Sequence, residues 1–163
     1  MDILAAQVGD SLKAHGLMLT IAESCTGGGV AHAITEVAGS SAWFERGYVT
    51  YSNLSKQQML GVSSATLAQH GAVSEATVRE MVAGALAHSA AQVALAISGI
   101  AGPDGGTTGK PVGTVWFAWG MTQGACISRL HHLSGNRSQI REQAVRIALQ
   151  GVKELLANRS EFA

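Results

Sequence analysis

Four short segments of this 163-residue chain carry side chains able to do chemistry. The first is Glu23-Ser24-Cys25-Thr26-Gly27-Gly28, which follows the apolar run LMLTIA from Leu17 to Ala22. A strand ending there puts the segment at the carboxyl edge of a sheet, the usual ligand crevice of α/β folds. Ser24 or Cys25 could serve as a nucleophile. The glycines let a ligand approach the backbone, and the start of the next helix offers free N–H donors to an anion or oxyanion. The plainer alternative is an ordinary βα turn with Thr26 as helix N-cap.

The second segment is Tyr51-Ser52-Asn53-Leu54-Ser55-Lys56. With Asn53 as N-cap, Lys56 falls at N3, near the positive end of the helix dipole. That field, with burial, favours the neutral amine, and a neutral amine is a general base. The plainer alternative is a solvent-exposed lysine. The third, Ser98-Gly99-Ile100-Ala101-Gly102-Pro103-Asp104-Gly105-Gly106, follows another apolar run and reaches the same crevice. So glycine-rich a loop is costly to order; it either cradles a ligand or is a flexible turn. The fourth is Ser134-Gly135-Asn136-Arg137 with Arg141 one turn on. Two guanidinium groups on one helix face suit a phosphate, or else pair with Glu142 and solvent.

Familiar motifs do not explain these segments. His32 stands where a G-x-G-x-x-G would need its last glycine. Asp104 and Pro111 break the P-loop pattern around Lys110, and Ser24 and Ser98 lack a nucleophile elbow. There is no H-E-x-x-H and no paired C-x-x-C, and His131 and His132 point to opposite faces of a strand. No metal site is expected. Trp43, Trp116 and Trp119 read as core or interface residues, and Cys25 and Cys126 as small apolar groups.

The elements that must position these segments follow from periodicity. Residues 2–15 read as a helix with Leu4, Val8 and Leu12 on one face. Strands are expected at 17–22, 43–51, 93–98, 113–119 and 125–133, the last two joined as a hairpin through Gly120–Gly124. Helices are expected after Gly29, over 54–60, over 74–90 with Ser74 as N-cap, and from Asn136 to about Leu156. Helices interleaved with buried strands, then an antiparallel pair, imply an α/β fold layered α/β/α around a mixed sheet. The chain is expected to form a single domain over residues 1–163.

Composition narrows the function classes. Eleven Lys+Arg balance eleven Asp+Glu, and only 13% of residues are charged. No basic excess marks a nucleic-acid partner or a membrane anchor. No apolar run reaches the roughly 18 residues of a membrane span, and the N-terminus carries an acid rather than a basic leader. Two distant cysteines suit a cytoplasmic protein without a disulfide framework. The weakly charged surface favours a homo-oligomer.

Several long motifs agree in order and spacing with one family. AESCTGG (22–28), GSSAWFERGYVTYSN (39–53), LAQHGAVSE (67–75), ISGIAGPDGG (97–106) and KPVGTVWFA (110–118) resemble the CinA C-terminal domain family in its stand-alone form, over almost the whole chain. The resemblance implies a deamidase that hydrolyses nicotinamide mononucleotide to nicotinate mononucleotide and ammonia, in pyridine nucleotide salvage, without metal or cofactor. It places a serine nucleophile at Ser24, a lysine base at Lys56 and a tyrosine at Tyr51, which relays the proton or orients Lys56. Substrate would be held by Thr26, Gly27 and Gly28 around the oxyanion, by Asn53, by Ser98, Gly99 and Gly102, and by Arg137 and Arg141, with the phosphate on the 98–106 loop or against the two arginines. Asn136 departs from the family's usual Asp at that position. The alternatives are an amidase for another amide and a non-catalytic nucleotide-binding or regulatory module.

Overall fold

The computed structural model describes the backbone of residues 1–162 and the side chains of residues 1–158. Side-chain size alternates along the inner strands and thereby sorts the layers. In β1 (Leu19–Glu23) and β3 (Val93–Gly99), Leu19, Ile21, Val93, Leu95 and Ile97 join one core cluster. Ala22, Ala94 and Ala96 join the other, as the two-residue period of a strand requires. The large side chains meet α1 (Asp2–Ala14), α2 (Gly29–Thr35) and α6 (Arg137–Phe162). The alanine face lets α5 (Glu75–Ala87) lie close, with α3 (Asn53–Leu60) and α4 (Ser64–His70) beside it.

The sheet has five strands in the order β2-β1-β3-β4-β5, where β2 is Phe44–Val49, β4 is Thr114–Met121 and β5 is Cys126–His132. β2, β1 and β3 run parallel, while β4 and β5 continue antiparallel. The expected α/β/α layering around a mixed sheet is thus observed. Trp119 packs in the cluster under α6 and donates its ring N–H to the Ala148 carbonyl at 2.8 Å. Trp116 packs against the opposite cluster. Both cysteines are free thiols, and no helix among the described residues is long and apolar enough to cross a membrane.

Local chemistry shifts several expected helix starts. Ser52, not Asn53, caps α3 by accepting from the Ser55 N–H, so Lys56 sits at N4 rather than N3. Gly28, at φ 100°, precedes α2 in place of Thr26, because the chain turns there through a left-handed conformation that suits glycine. Helix α4 was not expected: only Leu67 of its seven residues is buried, so it carries no apolar period, and Ser63 caps it. Asn136 does cap α6. Its Oδ1 accepts from the Gln139 N–H at 2.9 Å, and Gln139 Oε1 accepts from the Asn136 N–H at 2.8 Å, a reciprocal capping box. The helix continues past Leu156 to Phe162.

Gly84 of α5 allows the crossing that seats α3. A Cβ there would overlap the Leu60 carbonyl at the end of α3. Gly84→Ala should therefore destabilise the fold by about 1–3 kcal/mol despite the better helix propensity of alanine. Urea unfolding measures this, and unchanged stability would mean that α3 is free to shift.

Candidate active site

The carboxyl ends of β1 and β3 lie side by side, with Glu23 opposite Ile97. The Ser24 N–H donates to the Ile97 carbonyl at 3.1 Å, which draws Ser24 beside Ser98. Both open into a cavity of about 260 Å³ that Cys25, Tyr51, Lys56 and Arg137 also line. Ala72 and Val73, from the turn between α4 and α5, complete one wall. Sequence reasoning passed over these two, since nothing in their type marks a site.

Lys56 is 1% exposed. Its Nζ lies 2.9 Å from Ser24 Oγ, 2.8 Å from the Thr50 carbonyl and 3.2 Å from the Tyr51 carbonyl. A neutral amine has two N–H groups for the two carbonyls and one lone pair for the serine hydroxyl. Burial pushes the amine down from 10.5 to about 8, because the ammonium loses its hydration. Cys25 moves the other way. Burial pushes its thiol up to about 11, so it stays protonated within the apolar cluster. Of the two adjacent candidates, Ser24 is the one that Lys56 contacts.

Glu23 opens the first segment but was given no role of its own from the sequence, yet it shapes this turn. Its carboxylate is fully buried and accepts from the Val30 N–H at 2.9 Å and the Ala31 N–H at 3.1 Å. It thus caps α2 from the strand, in the role expected of Thr26, and occupies the helix N–H groups expected to be open to an anion. The Gly27 N–H is also committed, to the Ser24 carbonyl at 3.0 Å. An acid directly before Ser24, six residues short of the helix it caps, was the only available signal.

The remaining candidates separate. Tyr51 is 64% exposed and meets Lys56 through its carbonyl. Its hydroxyl accepts from Arg137 Nη2 at 3.3 Å, and Arg137 Nη1 donates to the Gly102 carbonyl at 2.7 Å. Arg137 therefore ties the Tyr51 side of the cavity to the 98–106 loop. Arg141 does not join it at the cavity; its Nε donates to the Cys25 carbonyl at 3.1 Å and its Nη2 to the Thr26 carbonyl at 3.2 Å. Asn53 is exposed at the first residue of α3, outside the cavity lining. Ser98 Oγ and Thr26 Oγ1 are buried without a hydrogen-bond partner among the described residues. Nor does any group of three or more His, Cys, Asp and Glu among the described residues suit a metal ion.

The family model of the CinA C-terminal domain matches residues 1–156. The chain belongs to the CinA C-terminal domain family. It is 60% identical to the nicotinamide-nucleotide amidohydrolase PncC of Escherichia coli (strain K12) over 90% of this chain and 89% of that protein. It is 52% identical to the protein of the same name from Pseudomonas putida, over 93% and 94%. The crystal structure of the competence/damage inducible protein CihA from Agrobacterium tumefaciens superposes with a TM-score of 0.92 at 44% identity, covering 94% of each chain.

The depressed Lys56 amine makes the stability of this CinA C-terminal domain depend on pH. From about pH 8 to 10.5 the unfolded chain binds the Lys56 proton and the folded chain does not, so stability rises with pH across that window. Urea unfolding of the parent and of Lys56→Met should diverge accordingly. The parent should gain relative to the variant between pH 8 and 10.5, and parallel curves would mean an unperturbed lysine.

Proposed function

We propose that this chain hydrolyses the carboxamide of nicotinamide mononucleotide to nicotinate mononucleotide and ammonia, with Ser24 as nucleophile and Lys56 as base. The supporting observation is the buried Nζ of Lys56 at 2.9 Å from Ser24 Oγ, a pairing of base and nucleophile within transfer distance. The names of the relatives supply the substrate class.

The neutral amine takes the Ser24 proton as Oγ attacks the carboxamide carbon, and the carbonyl electron pair moves onto oxygen. When the tetrahedral intermediate collapses, the C–N bond breaks. The Lys56 ammonium returns its proton to nitrogen, and ammonia leaves. Water then adds to the acyl-enzyme, giving its proton to Lys56, and Ser24 is released as it takes that proton back. About a tenth of Lys56 is neutral at pH 7 if the amine titrates near 8. The pyridinium charge of the substrate already makes the carboxamide electrophilic. Ser98 Oγ, buried and unpartnered, meets the carboxamide, and Arg137 at the cavity mouth meets the phosphate with its uncommitted N–H groups. The reaction would serve pyridine nucleotide salvage in the cytoplasm, with residues 1–163 acting as one domain.

Purified protein incubated with nicotinamide mononucleotide and EDTA should release ammonia and nicotinate mononucleotide in equal amounts. Ser24→Ala and Lys56→Ala should each lose at least about 10³-fold in kcat while keeping the parent's circular dichroism spectrum. Substantial turnover by Ser24→Ala would remove the covalent scheme. Arg137→Ala should raise KM with a smaller effect on kcat, and an unchanged KM would place the phosphate elsewhere.

A further inference from the structure

The Ser24 turn leaves few backbone donors for an oxyanion. The Ser24 N–H goes to Ile97 and the Gly27 N–H to the Ser24 carbonyl. The Val30 and Ala31 N–H groups are held by Glu23. Of the remaining turn residues, Thr26 and Gly28 have N–H groups without an acceptor among the described residues. The direction of the Thr26 N–H is set from outside the turn. Arg141, on α6 and more than a hundred residues away in sequence, grips the Cys25 carbonyl with Nε and the Thr26 carbonyl with Nη2. In a trans peptide the carbonyl and the following N–H point in opposite directions. Holding the Cys25 carbonyl toward α6 thus turns the Thr26 N–H away from α6. Holding the Thr26 carbonyl turns the Gly27 N–H, which closes the turn onto the Ser24 carbonyl.

The geometry points to Arg141 as a positioning residue of the amidase reaction: it orients the Cys25–Thr26 and Thr26–Gly27 peptides so that the Thr26 N–H receives the oxyanion. The inference rests on the amidohydrolase activity proposed above. Arg141 acts through the backbone rather than on the substrate phosphate, by its two contacts with the Cys25 and Thr26 carbonyls. A guanidinium suits this task because its planar fork spans two adjacent carbonyls, whereas a lysine ammonium holds one point.

The test compares the parent chain with Arg141→Gln and Arg141→Lys, after thermal melting has shown which variants fold. With nicotinamide mononucleotide, Arg141→Gln should lose about 10²-fold in kcat with KM within about twofold, the scale of a misplaced catalytic group. Arg141→Lys should recover about tenfold of that loss. Binding of pyridine-3-boronic acid, which adds to a serine oxygen as a tetrahedral anion, should weaken in parallel with kcat. Binding of nicotinate mononucleotide, a ground-state ligand, should not. A raised KM with unchanged kcat, or undiminished boronate binding, would overturn the assignment in favour of a phosphate contact or a purely structural role. If Arg141→Gln does not fold, Arg141→Lys alone decides, with about a tenfold loss in kcat at constant KM. If the parent fails to hydrolyse the mononucleotide, the proposed substrate falls. The boronate comparison needs only Ser24 and its turn, and still tests Arg141.

Discussion

Lys56 is buried, and its amine has three neighbours: the Ser24 hydroxyl and the carbonyls of Thr50 and Tyr51. A buried ammonium is costly unless its charge is compensated. Here the compensation comes from carbonyl dipoles, with no carboxylate among those neighbours. A carboxylate would hold the proton on the amine and remove the base. Two carbonyls satisfy the N–H groups yet leave the amine near 8, between a permanent cation and a group too weak to take a proton.

Much of the surrounding structure follows from keeping that contact. Thr50 stays at the end of β2 because its N–H donates to the Glu23 carbonyl at 2.8 Å, so the Lys56 acceptors and the residue before Ser24 move together. The Ser52 cap starts α3 at the turn that sends Lys56 back over the sheet. The small faces of Ala22, Ala94 and Ala96, with Gly84 on α5, let the helix layer come close enough for the lysine to reach the serine. From the opposite layer, Arg141 and the helix capped by Glu23 hold the Ser24 turn. The site is therefore a seam between two helical layers, closed at the carboxyl ends of the parallel strands, where open α/β sheets bind ligands.

Two arginines four residues apart show how far spacing carries. Arg137 and Arg141 share a face of α6, and a phosphate is the simplest object for both. In the folded chain one ties Tyr51 to the Gly102 carbonyl and the other grips the Ser24 turn. The difference comes from the loops above the helix, each of which presents bare carbonyls that need donors. Tyr51 is a similar case: its backbone serves Lys56 while its hydroxyl serves Arg137.

The sequence by itself determined the layers and the strand sequence, and it marked the segments that carry Ser24, Cys25 and Lys56. Period-two alternation, helical stripes and side-chain caps are local signals, and Ser24 and Lys56 stand in motifs long enough to recognise. The tertiary structure decided which atoms meet. It made Ser24 rather than Cys25 the partner of Lys56, through the 2.9 Å contact and the burial that keeps the thiol protonated. It gave the cap of α2 to Glu23, and it turned Arg141 from a ligand group into a clamp on the backbone. These outcomes depend on unpaired backbone groups brought together from distant parts of the chain, and residue types along a sequence do not reveal where such groups converge.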